Sequence, residues 1–100
     1  MTGALVRPRY SPVRLCAGKG AYEAVPDPPG RLDLPRAAKL LTAAGFDVTD
    51  ARVMLIVASD PEVTLSLDGR VLVKTQDPAA AERAVDELWR RLERSPTRPG

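Results

Sequence analysis

Residues 63–75 read Val-Thr-Leu-Ser-Leu-Asp-Gly-Arg-Val-Leu-Val-Lys-Thr, and this stretch decides the fold. Alternating apolar residues on either side of Asp68-Gly69 signal a β-hairpin. The loop length follows from parity. A two-residue Asp68-Gly69 loop would set Val63 opposite Lys74 and mix the two faces. A three-residue loop, Leu67-Asp68-Gly69 with a left-handed Gly69, sets Val63 opposite Val73 and Leu65 opposite Val71. Those four residues then share one buried face, while Thr64, Ser66, Arg70, Leu72 and Lys74 share the other.

Working outward, a helix follows the hairpin. Asp77 is a good N-cap and Pro78 suits the first helical position. Ala81, Val85, Leu88 and Leu92 form an apolar stripe flanked by Ala84 and Trp89. Glu87 and Arg91 stand four apart and pair on the outside. Upstream of the hairpin, the apolar run 52–58 (Arg-Val-Met-Leu-Ile-Val-Ala) predicts a central strand that turns at Asp60-Pro61.

Further upstream, Asp33 caps a second amphipathic helix with Pro35 in its first turn. Leu34, Ala37, Ala38, Leu41 and Ala44 share its buried face. Gly45 and Phe46 fit a left-handed stop with an apolar residue folding back. A first strand is predicted within 13–25, with Gly18-Lys19-Gly20 as the bend that starts it. The run Val25-Pro-Asp-Pro-Pro-Gly30 breaks regular structure.

The predicted order is β-α-β-β-β-α. Two amphipathic helices each need an apolar surface to cover. A four-stranded antiparallel sheet with both helices on one face provides it, an α+β fold. The expected boundaries are a flexible basic arm over 1–12, one domain over 13–94 and a disordered tail over 95–100. The arm reading rests on charge, because residues 1–20 hold Arg7, Arg9, Arg14 and Lys19 with no acid. Such an arm suits nucleic acid or an acidic partner. A solvated chain end is the plainer alternative.

Composition narrows the function. The chain of 100 residues has one cysteine and no histidine, so neither an intramolecular disulfide nor a zinc site is expected. The commonest general base is missing too. No metal, cofactor or catalytic residue is therefore assigned. No apolar run approaches the roughly 20 residues of a membrane span, and the first residues are interrupted too soon for a secretory signal. A soluble cytoplasmic protein is expected. The absence of Asn and the abundance of Pro, Arg and Glu fit a thermophile or a GC-rich genome equally well.

Residues 15–23, Leu-Cys-Ala-Gly-Lys-Gly-Ala-Tyr-Glu, look at first like a site. A phosphate loop, however, needs a further upstream glycine and a helix directly after the lysine, and here a strand is predicted. Cys16 is a candidate reactive thiol. Without a histidine, the small buried hydrophobe is its commoner fate.

The stretches LCAGKGAYE (15–23), GRLDLPRAAKLLTAAGFDV (30–48), VMLIV (53–57) and EVTLSLDGRVLVKTQDPAAAERAV (62–85), with Trp89 near the end, carry a family resemblance. Together they resemble the small C-terminal domain of bacterial E1-like adenylyltransferases. Those enzymes activate sulfur-carrier proteins for thiamine and molybdopterin synthesis. The hairpin and helices are also similar to one half of a TATA-binding protein. The adenylation domain of the E1-like enzymes, with its Gly-rich loop and cysteine pairs, has no counterpart here. The resemblance therefore implies an accessory domain, not an enzyme.

Three functions follow as expectations. The first is a non-catalytic interaction domain that docks a sulfur carrier or an E1-like adenylyltransferase through its open sheet face. The second is nucleic-acid binding through the basic arm and that same face. The third is a small thiol enzyme using Cys16. The candidate surface comprises Arg14, Arg52, Thr64, Ser66, Arg70, Leu72 and Lys74. Trp89 and Leu92 are candidate partner anchors, though packing over the sheet is the commoner role. An apolar patch of Leu72 with Met54 or Ile56 would favour a homodimer.

Overall fold

The computed structural model describes residues 5–16 and 20–93, except the side chain of Cys16. Strands β1 (Arg14–Cys16) and β2 (Ala21–Ala24) precede helix α1 (Leu34–Ala43). Strands β3 (Val48–Asp50), β4 (Met54–Val57), β5 (Val63–Ser66) and β6 (Val71–Val73) follow, and helix α2 (Pro78–Leu92) closes the order. The six strands form one sheet in the order β1-β2-β6-β5-β4-β3, with every pairing antiparallel.

The α+β class holds, and the strand count is corrected from four to six. Both added strands come from hairpins. The expected single strand over 13–25 is two strands, with Cys16 opposite Ala21 and residues 17–20 between them. Gly20 has φ 59°, a left-handed conformation. Val48–Asp50 forms an edge strand on β4, and three residues show too little alternation for a strand to be predicted there. The apolar run after it supplies β4, which lies one strand in from that edge.

The β5–β6 hairpin has the predicted register, Val63 opposite Val73 and Leu65 opposite Val71. Gly69 sits at φ 96°. Across the sheet, Leu55, Leu65, Val71 and Ala24 form one buried row, and Val57, Val63 and Val73 lie in the next. Both helices pack on this face. Leu34, Ala37, Leu40 and Leu41 of α1 join Ala81, Val85, Leu88, Trp89 and Leu92 of α2 in the same apolar cluster.

Both helices carry the expected caps. The Asp33 carboxylate accepts a hydrogen bond from the Arg36 N–H at 3.1 Å, and Asp77 accepts one from Ala79 at 3.0 Å. At the end of α1, the Gly45 N–H reaches the Thr42 carbonyl and the Phe46 N–H reaches Leu41, each at 3.0 Å. With Gly45 at φ 96°, this is a Schellman stop.

The N-terminal segment differs from the expected loose arm. From Leu5 onward it is a strap fastened to the domain. The Leu5 N–H donates to the Leu92 carbonyl at 2.8 Å, and the Ser11 N–H donates to Val25 at 3.0 Å. The Val13 N–H donates to the Glu82 carboxylate at 3.0 Å, and Arg7 pairs with Asp86 at 2.9 Å. Leu5, Tyr10 and Val13 pack against the core, and that contact holds the strap down. Residues 1–4 and the predicted tail 95–100 lie outside the described residues.

Candidate functional site

The side of the sheet facing away from the helices is the candidate site. No helix or strand among the described residues lies over it. The register sets one row across it: Thr49, Ile56, Thr64, Leu72, Glu23 and Arg14. Met54 and Ser66 pair in the neighbouring row. Arg70 and Lys74 lie two residues either side of Leu72 and so share its face. Six of the seven predicted surface residues therefore stand together: Arg14, Thr64, Ser66, Arg70, Leu72 and Lys74.

The seventh, Arg52, stands in the β3–β4 turn at the end of this face. Its φ is 72°, the left-handed region that favours glycine. The Asp50 carboxylate accepts the Arg52 backbone N–H at 2.8 Å and holds the turn.

The electrostatics of the face do not make it a basic surface. Lys74 pairs with Glu62 at 2.8 Å. Arg70 pairs with Asp68 at 3.0 Å and lies 3.6 Å from Glu23, which Arg14 approaches at 3.8 Å. Three cations are thus matched by three carboxylates. Glu23 and Glu62 enter this face only through the register, so counting bases along the strands missed them. Such exposed pairs contribute little to stability, about 0–1 kcal/mol each. Their effect is to leave a near-neutral face around Ile56, Thr64 and Leu72, all half-buried.

Trp89 and Leu92 are not surface anchors. Both are 0% exposed and belong to the core. The Trp89 Nε1–H donates to the Tyr10 hydroxyl at 2.9 Å, and the Tyr10 O–H donates to the Gly69 carbonyl at 2.5 Å. The two rings lie 6.3 Å apart, tilted by 50°. The strap thus supplies the partner that the indole N–H needs when buried. Burial pushes the Tyr10 hydroxyl up to about 12, and its hydrogen bond with Trp89 opposes that only in part. The hydrogen bond from Arg7 holds the Asp86 carboxyl below its ordinary value.

Cys16 ends β1 opposite Ala21, and its side chain lies outside the described residues. Among the described residues, no three acidic or cysteine side chains cluster as metal ligands. No helix among them is long and apolar enough to cross a membrane.

Two clefts remain. One, of about 400 Å³, lies between the β4–β5 turn (Ser59, Asp60 and Pro61) and α2, and is lined also by Phe46, Arg83, Ala84 and Leu88. The other, of about 410 Å³, is lined by Arg31, Val53, Met54, Leu67, Asp68 and Arg70. Comparison of the chain with protein-family models, with characterised proteins and with solved structures finds no match.

Proposed function

We propose that this chain is a non-catalytic interaction domain whose open sheet face docks a protein partner. The observation that carries the reading is the face itself. Ile56 and Leu72 flank Thr64 across three adjacent strands, Met54 lies in the next row, and no helix or strand among the described residues covers them. The surrounding charges are already paired. An apolar centre with a paired, polar rim is the anatomy of a protein–protein interface.

The partner class comes from the resemblance: sulfur-carrier or ubiquitin-like activation machinery, with an E1-like adenylyltransferase or the carrier as the docked protein. The finer comparison with one half of a TATA-binding protein belongs to the same reading. A curved antiparallel sheet with its helices on one side leaves the opposite side for binding. No observation favours nucleic acid. Arg7 of the arm is engaged with Asp86, and Arg14, Arg70 and Lys74 of the face are matched by acids.

The test is affinity capture from the native host with the wild-type chain and with Leu72→Glu. Enrichment of an E1-like enzyme or a ubiquitin-like protein by the wild type, lost in Leu72→Glu, supports the reading. If neither is enriched, the partner assignment fails. If capture survives Leu72→Glu, the open face is not the docking surface.

A further inference from the structure

The two edges of the sheet are built differently. At the β1 edge the chain carries Pro12, which has no N–H to offer a further strand. Tyr10 stands opposite Pro26 and Arg14 opposite Glu23, so the outer strand holds one extra residue between those pairs, a bulge. The Val13 N–H within it is taken up by Glu82 at 3.0 Å. Prolines and bulges keep a sheet edge from pairing with another chain.

The β3 edge has neither. Residues 47–51 contain no proline, and β3 keeps one register on β4, from Val48 opposite Val57 to Asp50 opposite Leu55. The Ala58 N–H donates to the Asp47 carbonyl and the Ala51 N–H to the Met54 carbonyl, each at 2.9 Å. Those bonds make Asp47, Thr49 and Ala51 the residues whose backbones face β4. The N–H and C=O groups of Val48 and Asp50 therefore point away from the sheet. No strand among the described residues lies beyond them.

This edge complements a second copy of itself. With Thr49 laid antiparallel opposite Thr49, the Val48 backbone meets Asp50 of the second copy, and Asp50 meets its Val48. Every outward N–H then finds a carbonyl. The same register sets Ala51 opposite Asp47 of the second copy, with Arg52 next along the chain. Neither Asp47 nor Arg52 has an ion pair within its own chain among the described residues. Twofold symmetry brings these opposite charges together twice. The other acid of the strand, Asp50, is already engaged, its carboxylate accepting the Arg52 backbone N–H at 2.8 Å.

We infer that two copies of this chain pair through β3, antiparallel and centred on Thr49. Thr49 and Ile56 lie in one row of the open face, so the two open faces then join side by side. The edge and the face are separate surfaces, and the inference goes beyond the docking reading and stands without it. A contact confined to residues 47–52 of each copy is far smaller than a stable interface. The dimer is therefore weak, half formed at on the order of 0.1 mM.

The test is sedimentation of the intact chain between about 10 µM and 1 mM, concentrations that bracket that affinity. The wild type passes from mostly monomer to mostly dimer. Val48→Pro removes an outward N–H and no bond to β4, so it weakens dimerisation by about tenfold or more while the monomer keeps its far-ultraviolet circular dichroism. Asp47→Lys and Arg52→Glu each set like charges together twice and weaken it by about tenfold, and the double variant regains most of the loss. Amide exchange reads the contact without any variant. The Val48 and Asp50 N–H groups slow as concentration rises, while that of Thr49, already turned to β4, does not.

A chain still monomeric at about 1 mM overturns the inference. So does a double charge variant no better than the single ones, or exchange at Val48 and Asp50 that ignores concentration. A dimer lost in Leu72→Glu and kept in Val48→Pro is built on the open face and refutes the edge.

Discussion

Replacing Tyr10 by Phe removes one oxygen and tests how the strap is held. The Tyr10 hydroxyl accepts from the Trp89 Nε1–H at 2.9 Å and donates to the Gly69 carbonyl at 2.5 Å. Phe keeps the ring contact and loses both bonds. The Trp89 N–H is then unpaired on a side chain with no exposure, which costs about 1–3 kcal/mol. The Gly69 carbonyl is left short of a donor, for about 1 kcal/mol more. A total loss of about 2–4 kcal/mol is a large share of the roughly 5–15 kcal/mol expected for a domain.

Urea unfolding reads it directly, because Trp89 is the only tryptophan and lies at the contact. With a slope of about 1 kcal/mol per M, the midpoint falls by about 2 M or more. The pH dependence gives a second arm. The Tyr10 hydroxyl is pushed up to about 12 in the folded chain and titrates at its ordinary value of 10.0 when unfolded. The wild-type advantage over Tyr10→Phe is therefore complete below pH 10 and is lost as pH rises through 12. A midpoint shift below about 0.3 M, or an advantage that persists above pH 12, refutes the reasoning.

Two other predictions address local structure. Gly69→Ala destabilises by more than about 1 kcal/mol in chemical denaturation, because φ is 96° and a Cβ there would lie 3.2 Å from the Pro26 ring. Gly30→Ala, whose Cβ would meet nothing within 4 Å, changes stability by less than about 0.5 kcal/mol. Asp33→Ala and Asp77→Ala each remove a cap and cost about 1 kcal/mol. In a domain of this size, each lowers the melting temperature by about 4–8 °C in calorimetry.

What the sequence made legible was local. The hairpin register followed from parity, because a one-residue slip would have sent Val63, Leu65, Val71 and Val73 to different faces. Helix ends followed from Asp33, Gly45 and Asp77, whose partners lie within a few residues. What stayed hidden was set at long range. Tyr10 meets Trp89 across 79 positions, so neither the docked strap nor the partner of the Trp89 N–H shows in any window of the chain. Glu23 reaches Arg14 and Arg70 only through strand pairing, which makes the face balanced in charge. The edge strand Val48–Asp50 has too few residues for a period to appear. The strain at Arg52 arises from the turn between two strands, one of them that unexpected edge.

The central claim is that partners dock on the sheet face opposite the helices. A photo-cross-linking amino acid at position 72, on that face, tests it most directly, with position 90 on the exposed side of α2 as the control. The prediction is that in the native host position 72 yields a cross-link to an E1-like adenylyltransferase or a ubiquitin-like carrier and position 90 yields none. Cross-links to such a protein from position 90 alone, or none from position 72, would contradict the account.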